Sequence, residues 1–410
     1  MSIREDADRI IRESILKVLP DQAVAEALRG KTFSGGRLVV AAAGKAAWQM
    51  AKAASDLLGD RIDAGVVVTK YGHVKGEIPR MLCLEAGHPV PDKNSFAATE
   101  AVLKLTGNLT EKDTVLFLLS GGGSALFEKP LIPEEELLAV TRQLLACGAG
   151  IVEINTIRKR LSGVKGGKFA RHCQPARIFS IVLSDVLGDP LDMIASGPAY
   201  PDSSTSREAF ALAEKYGLLL SAAAQNALSL ETPKILSNVE TRITGSVKEL
   251  CQAAASSCRM LGYEPFILTD QLNCQAKEAG SFLAAVARSH QSTRKSLAFL
   301  AGGETVVHLT GAGKGGRSQE LALAAAEGIS GLKDTAVFSF GSDGTDGPTD
   351  AAGGFCDGNT RDLLLAQGME IYRILRDNDA YCALKKTGGL IFTGPTGTNV
   401  NDLAAVLIRR

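Results

Sequence analysis

Apolar runs that break straight into glycine-bearing loops recur along this chain, and that pattern narrows the available folds more than any other feature. Residues 38–42 read LVVAA and lead into AAAGKAAW (41–48), while 114–119 read TVLFLL and lead into SGGGS (120–124). GVVVT (65–69) is a further run, and RIFSIVL (177–183) precedes SDVLGDPLDMIASGP (184–198). Runs at 264–268, 297–300, 336–340 and 390–392 continue the pattern, with AGGET (301–305), GAGKGGRSQE (311–320), GSDGTDGPTD (341–350) and TGPTGTNVND (393–402) among the loops. A strand without polar alternation is buried on both faces. Such strands, separated by amphipathic helices, indicate parallel sheets covered on both sides. The expected class is α/β, with a helical opening through about Leu28.

A chain of 410 residues exceeds one ordinary core. Around residues 230–241, Pro233 and a polar stretch interrupt the helical pattern, and TRITG, SVKELCQAAASSCRMLGY and EPFILT then begin a new strand-helix-strand unit. Two domains are expected, 1–237 and 238–410. Lysine plus arginine equals aspartate plus glutamate at 45 each, with no basic cluster, which argues against nucleic-acid or anionic-membrane partners. The apolar runs fall well short of the roughly 18–20 residues that span a bilayer. The opening MSIREDADRIIRES has no apolar core of a signal peptide, so a cytoplasmic protein is expected. The eight cysteines are dispersed without a CxxC pair and read as reduced thiols. Nor do the five histidines show zinc-ligand spacing.

The loops carry the chemistry. In open α/β sheets ligands bind beyond the carboxyl ends of the strands, where helix N-termini present N–H groups to anions. In SGGGS the bare amides of Ser120, Gly121, Gly122, Gly123 and Ser124 can curl around a phosphate, and Ser124 can cap the following helix. One such turn is ordinary geometry; repeated turns carrying Lys, Arg, Asp and Asn point to an anion site. There is no Walker A loop, no GxSxG, and no dinucleotide fingerprint, since GVVVT ends in Lys70 rather than an acid. Lys45 lies at a helix start, where the macrodipole disfavours a cation unless an anion shares the site. Arg317 stands at another helix start, suited to bidentate contact with carboxylate or phosphate. Lys165 and Lys168 flank Gly166–Gly167, which suits a phosphate-facing loop, whereas Arg158, Lys159 and Arg160 read equally well as a solvated helix face. Asp185 and Asp189 frame Gly188, and Asp343, Asp346 and Asp350 punctuate one loop. Carboxylates of this kind can hold Mg²⁺ together with substrate phosphates, though each alone reads equally as an Asx turn or a cap. Cations, acids and glycine loops on two domains add up to phosphoryl transfer in a closing cleft.

The stretches AAAGKAAWQMA, VVVTKYGH, EAGHPVPDKNS, LLSGGGSALFEKP, INTIRKRLSGVKGGKFA, SDVLGDPLDMIASGP, AGGETVVHLTGAGKGGRSQE, GSDGTDGPTDAAGG and TGPTGTNVNDL span residues 41–403. Together they resemble the glycerate 2-kinase family, which joins an N-terminal glycerate-kinase domain to a C-terminal MOFRL domain. The resemblance implies a larger Rossmann-like domain and a smaller α/β domain around a deep cleft. It implies ATP-dependent, Mg²⁺-assisted phosphorylation of the 2-hydroxyl of D-glycerate. The lysine of GKAA and the arginine of KGGR, here Lys45 and Arg317, are its key active-site positions. Leu187 stands where the family commonly has proline, Ser318 where asparagine is frequent, and GSVKEL (245–250) where GSN is usual.

On this basis the nucleotide phosphates are expected against SGGGS, Lys165, Lys168 and Asn399, and Mg²⁺ on one or two of Asp185, Asp189 and Asp343. Arg317 or Lys45 is expected to clamp the glycerate carboxylate, and Asp189 to orient or deprotonate the 2-hydroxyl. Two other readings stand beside this one: an NAD(P)-dependent hydroxypyruvate reductase, which the missing fingerprint opposes, and a non-catalytic sugar-acid binder. A homodimer is left open.

Overall fold

The computed structural model describes residues 2–33 and 35–410. They divide into two compact units, one formed by Ala23–Thr244 and the other joining the opening residues through Gln22 to Gly245–Arg410. In the first unit, β1 (Leu38–Ala43), β2 (Ala64–Lys70), β3 (Met81–Ala86), β4 (Thr114–Leu119), β5 (Arg177–Leu183) and β6 (Val239–Gly245) form one sheet in the order β3-β2-β1-β4-β5-β6. This is the doubly wound Rossmann order. Strands β1 to β5 pair in parallel.

The apolar runs explain why both faces are covered. Val39, Ala41 and Ala43 of β1 share a core with Val115, Phe117 and Leu119 of β4, while Leu38, Val40 and Ala42 share the opposite core with Leu116 and Leu118. Alternate side chains leave opposite faces of a strand, so an unbroken apolar run feeds two cores at once. Phe117, Phe127 and Phe169 pack in tilted and edge-on pairs at centroid distances of 4.9–5.9 Å in the first of them. The helices Glu134–Ala146, Ile151–Leu161, Ser206–Lys215 and Ala222–Ser229 contribute residues to a separate core that includes Leu137, Ile157, Ala209 and Ala224. The strand order reverses direction between β1 and β4, and ligands of such sheets bind at that switch point. Ala43 pairs with Leu119 there, so the loops that follow, Gly44 onward and Ser120 onward, emerge side by side.

The second unit also holds a six-stranded sheet: β7 (Glu264–Leu272), β8 (Leu297–Gly303), β9 (Thr335–Gly341), β10 (Gly353–Asp357), β11 (Leu390–Ile391) and β12 (Asp402–Ile408), in the order β11-β10-β9-β12-β8-β7. Only β7 and β8 pair in parallel; β12 runs antiparallel to β8 and β9, and β10 antiparallel to β9 and β11. This differs from the parallel sheet expected. The apolar runs report burial on both faces correctly, since every residue of β8, β9 and β12 is buried, but burial does not encode strand direction.

The units also differ from a division at residue 237. TRITG lies in β6 and completes the first sheet, so the change of unit comes at residues 244–245. The helical opening is two helices, Ile3–Lys17 and Pro20–Leu28, and the first packs on Val247–Met260 of the second unit. Ser2 and Glu5 close a capping box on it. Tyr263 donates its hydroxyl to Asp6 at 2.6 Å, and Ser257 donates to Glu13 at 2.6 Å. No helix among the described residues is long and apolar enough to cross a membrane.

Because Tyr263 binds a buried carboxylate, Tyr263→Phe should lower stability by about 1.5–3 kcal/mol, the range for hydrogen bonds to charged groups. Urea unfolding measures this, and an unshifted midpoint would show that the opening helix is not anchored through this contact.

Candidate active site

At the switch point the two loops are tied by their backbones. The Lys45 amide donates to the Gly121 carbonyl at 2.8 Å, and the Ala46 amide donates to Ser120 Oγ at 3.1 Å. Thr69 Oγ1 donates to the Lys45 carbonyl at 3.2 Å, and His73 Nδ1 lies 3.1 Å from the same oxygen. Lys45 therefore sits in a turn fixed from three sides, just ahead of the helix Ala47–Leu58. The glycines opposite it are required by contact. A Cβ on Gly121 would lie 2.1 Å from Asp185 Oδ2. At Gly122, where φ is +86°, a Cβ would lie 3.0 Å from Lys45 Cγ and 3.0 Å from the His88 ring. Lys45, Asp185, His88 and the SGGGS backbone thus converge at the carboxyl edge of the sheet. Ser124 does not cap the following helix, contrary to what its position suggests. The helix is the single turn Gly123–Leu126, and the Ser124 hydroxyl lies 3.2 Å from Ser196 Oγ.

The loop after β5 brings the acids. Asp185 follows β5 directly beside Gly121. Asp189 has a left-handed backbone, φ +52°, and its Oδ1 is buried with no hydrogen-bond partner. A backbone of that kind on a residue with a side chain costs of order 1–3 kcal/mol and marks a position held by its surroundings. Asp192, in the same loop, receives the Lys159 ammonium at 3.0 Å.

The other lysines predicted for phosphate turn inward. Lys165 is fully buried, with Nζ 2.8 Å from the Phe127 carbonyl and 3.2 Å from the buried carboxylate of Glu128. Lys168 Nζ caps the end of the helix Ile151–Leu161, donating to the carbonyls of Lys159, Arg160 and Ser162 at 3.0, 3.3 and 2.6 Å. Burial lowers both ammonium groups to about 8. Glycine spacing suggests an open loop, but a buried carboxylate and a helix C-terminus claim their charges. The basic run is not a solvated face either: Lys159 also meets Asp202 at 3.1 Å, and Arg160 meets Asp202 at 3.6 Å and Glu231 at 3.2 Å.

In the second unit Arg317 begins the helix Arg317–Ile329. Its Nε and Nη2 fork onto Asp402 at 2.6 and 3.0 Å, and Nη1 donates to Glu304 at 2.6 Å. Burial raises the Asp402 carboxyl to about 7 against the pull of the guanidinium. The first N–H groups of this helix are already taken, since Ser318 and Gln319 donate to Asp346 at 3.1 and 2.8 Å. Asp343 closes an Asx turn with the Thr345 amide at 2.9 Å, and Asn399 accepts from the Asn401 amide at 3.3 Å. Among the described residues, no group of three or more His, Cys, Asp or Glu is placed to hold a metal ion.

Sequence reasoning misses His88. It follows β3, and MLCLEA with its acid and uneven exposure does not read as a strand, so nothing local puts the EAGHP turn at the ligand edge. It also misses Asn155 and Ser196, whose link at 2.8 Å joins the helix Ile151–Leu161 to the acidic loop; nothing in their spacing announces it.

Residues 6–229 match a family described only as a domain of unknown function, DUF4147, and residues 297–402 match the MOFRL family. The D-glycerate 2-kinase of Thermotoga maritima is 52% identical over 99% of both chains. A protein of Agrobacterium vitis with a provisional hydroxypyruvate reductase name is 39% identical over 91% of this chain and 100% of its own. A crystal structure of glycerate kinase from Thermotoga maritima superposes with a TM-score of 0.95, covering 98% of this chain and 99% of that one at 52% identity.

Replacing Lys165 tests its reassignment. Lys165→Met should cost about 3–5 kcal/mol of stability by leaving Glu128 buried and unpaired, while nucleotide affinity of the folded fraction stays unchanged. A loss of affinity with an unchanged unfolding midpoint would return Lys165 to the ligand.

Proposed function

The chain belongs to the glycerate 2-kinase family, and we propose that it transfers the γ-phosphoryl of ATP to the 2-hydroxyl of D-glycerate, releasing 2-phosphoglycerate and ADP. The observation that carries this reading is the meeting of Lys45 with the side-chain-free Gly121–Gly122 backbone at the switch point of a doubly wound sheet. Phosphoryl transfer asks for little covalent help from the protein. It asks for positioning and for charge to be neutralised on the transferring group. The loop Ser120–Ser124 would cradle phosphate oxygens, and the Lys45 ammonium would answer their charge.

Asp185 and Asp189 fit a divalent cation. One lies against the glycine loop, and the other keeps a buried carboxylate oxygen without a protein partner. Mg²⁺ held there would neutralise phosphate charge, which is the chemistry it supplies in such sites. Asp343 already closes its own turn. Arg317, fixed by Asp402 and Glu304, keeps one N–H on each terminal nitrogen, a pair that suits an anion. A cytoplasmic location belongs to the same reading, and all eight cysteines are free thiols. The reductase name carried by the Agrobacterium vitis relative finds no support in the site: β2 ends in Lys70 where a dinucleotide site needs an acid, and the β1 turn lacks the glycine fingerprint.

Incubation with ATP, Mg²⁺ and D-glycerate, followed by ³¹P NMR, should show 2-phosphoglycerate and ADP. NADH consumption with hydroxypyruvate in place of those products would overturn the reading. Lys45→Ala should lower kcat by about 10²–10³-fold, the loss typical of one preorganised electrostatic contact, with the fold unchanged by circular dichroism.

A further inference from the structure

The reaction also needs an acceptor for the hydroxyl proton. With Asp185 and Asp189 assigned to the cation, neither carboxylate is free for that task, so another group at the same edge must serve.

His88 stands where such a group is needed. It comes two residues after β3 ends at Ala86, and β3 runs parallel to β2, so His88 emerges at the same carboxyl edge as Lys45 and SGGGS. Its ring lies over Gly122: Cδ2 and Nε2 are each 3.0 Å from the point a Cβ would occupy, and Lys45 Cγ is 3.0 Å from that same point. The imidazole and the lysine stem therefore flank one bare glycine of the loop assigned to phosphate. His88 is exposed, as a group meeting substrate must be. His73, the other histidine here, is turned to the Lys45 carbonyl through Nδ1 at 3.1 Å and serves the turn.

The surroundings keep the ring neutral. Desolvation, followed by the positive charge of Lys45 and Lys70 and by His73, lowers the His88 pKa below its usual 6.5. Neutral imidazole is the form that accepts a proton, and at neutral pH it is the form present.

We propose that His88 Nε2 is the general base that takes the 2-hydroxyl proton of the acceptor during phosphoryl transfer. The hydroxyl oxygen forms its bond to the γ-phosphorus as the bond from that phosphorus to the bridging oxygen breaks. The electron pair leaves with ADP, the hydroxyl proton passes to Nε2, and the imidazolium later returns it to water. This assignment rests on the glycerate-kinase reading.

The test is steady-state kinetics of His88→Gln across about pH 5–8, the range in which histidine titrates. Glutamine keeps a polar group at the position of Nε2 but cannot take the proton. The expected result is a kcat lowered by about 10²–10⁴-fold with KM for ATP held. The low-pH limb of the wild-type kcat/KM profile, rising through a pKa below 6.5, should disappear, and added imidazole should restore part of the rate of His88→Ala. An unchanged kcat, or a lowered kcat that keeps the low-pH limb, would overturn the assignment. Independently of any variant, NMR titration of the wild-type ring with a midpoint above 6.5 would also overturn it. A wild-type protein that makes no 2-phosphoglycerate would instead refute the kinase reading itself.

Discussion

The site depends on two backbone turns that touch without side chains between them. The hydrogen bond from the Lys45 amide to the Gly121 carbonyl, with Ala46 on Ser120 Oγ, locks the β1 loop to the β4 loop. That lock is possible because β1 and β4 are central neighbours whose apolar residues feed cores on both faces, so their carboxyl ends cannot shift independently. A side chain at Gly121 or Gly122 would strike Asp185, Lys45 or His88. The glycines are thus required by what surrounds them, and the same closeness lets Lys45, Asp185 and His88 share one small region.

Holding the acids in place draws on the interior of the first unit. The loop 184–198 contains three left-handed residues other than glycine, Asp189, Ala195 and Ser196, each strained by of order 1–3 kcal/mol. Such a backbone persists only when its neighbours over-determine it. Ser196 donates to Asn155 at 2.8 Å, Ser124 lies 3.2 Å from Ser196, and Lys159 pairs with Asp192 at 3.0 Å. Buried ion pairs contribute little net stability, since desolvation offsets most of their attraction, but they are costly to break. Lys159 therefore suits the holding of a strained loop, and Arg160 and Lys165 the pairing of acids at Asp202, Glu231 and Glu128, better than the binding of a mobile ligand.

These placements mark what the sequence could convey. The edge of the first sheet is legible because a glycine run weakens a strand or helix and is tolerated where backbone must approach backbone or ligand closely. Lys45, SGGGS and Asp185 do come together there. The lysines after Gly163 are not legible. A basic residue among glycines looks the same whether it faces water or a buried carboxylate, and Glu128 gives no local sign of being that partner. Strand direction in the second unit is hidden for a related reason: β12 is as apolar as a parallel strand because it too is covered twice. The membership of the opening helix depends on Asp6 meeting Tyr263 across 257 residues, a pairing that no local pattern encodes.

Lys45 and Arg317, alike in the sequence as cations at helix starts, differ in how the protein holds them. Lys45 is positioned through its backbone, so its ammonium remains a flexible point charge able to follow a group that changes geometry. Arg317 is positioned through its head, gripped by Asp402 and Glu304, so the direction of its remaining donors is set beforehand. A fixed planar donor suits a substrate group that stays put, such as a carboxylate, and an adaptable cation suits the phosphoryl group that moves.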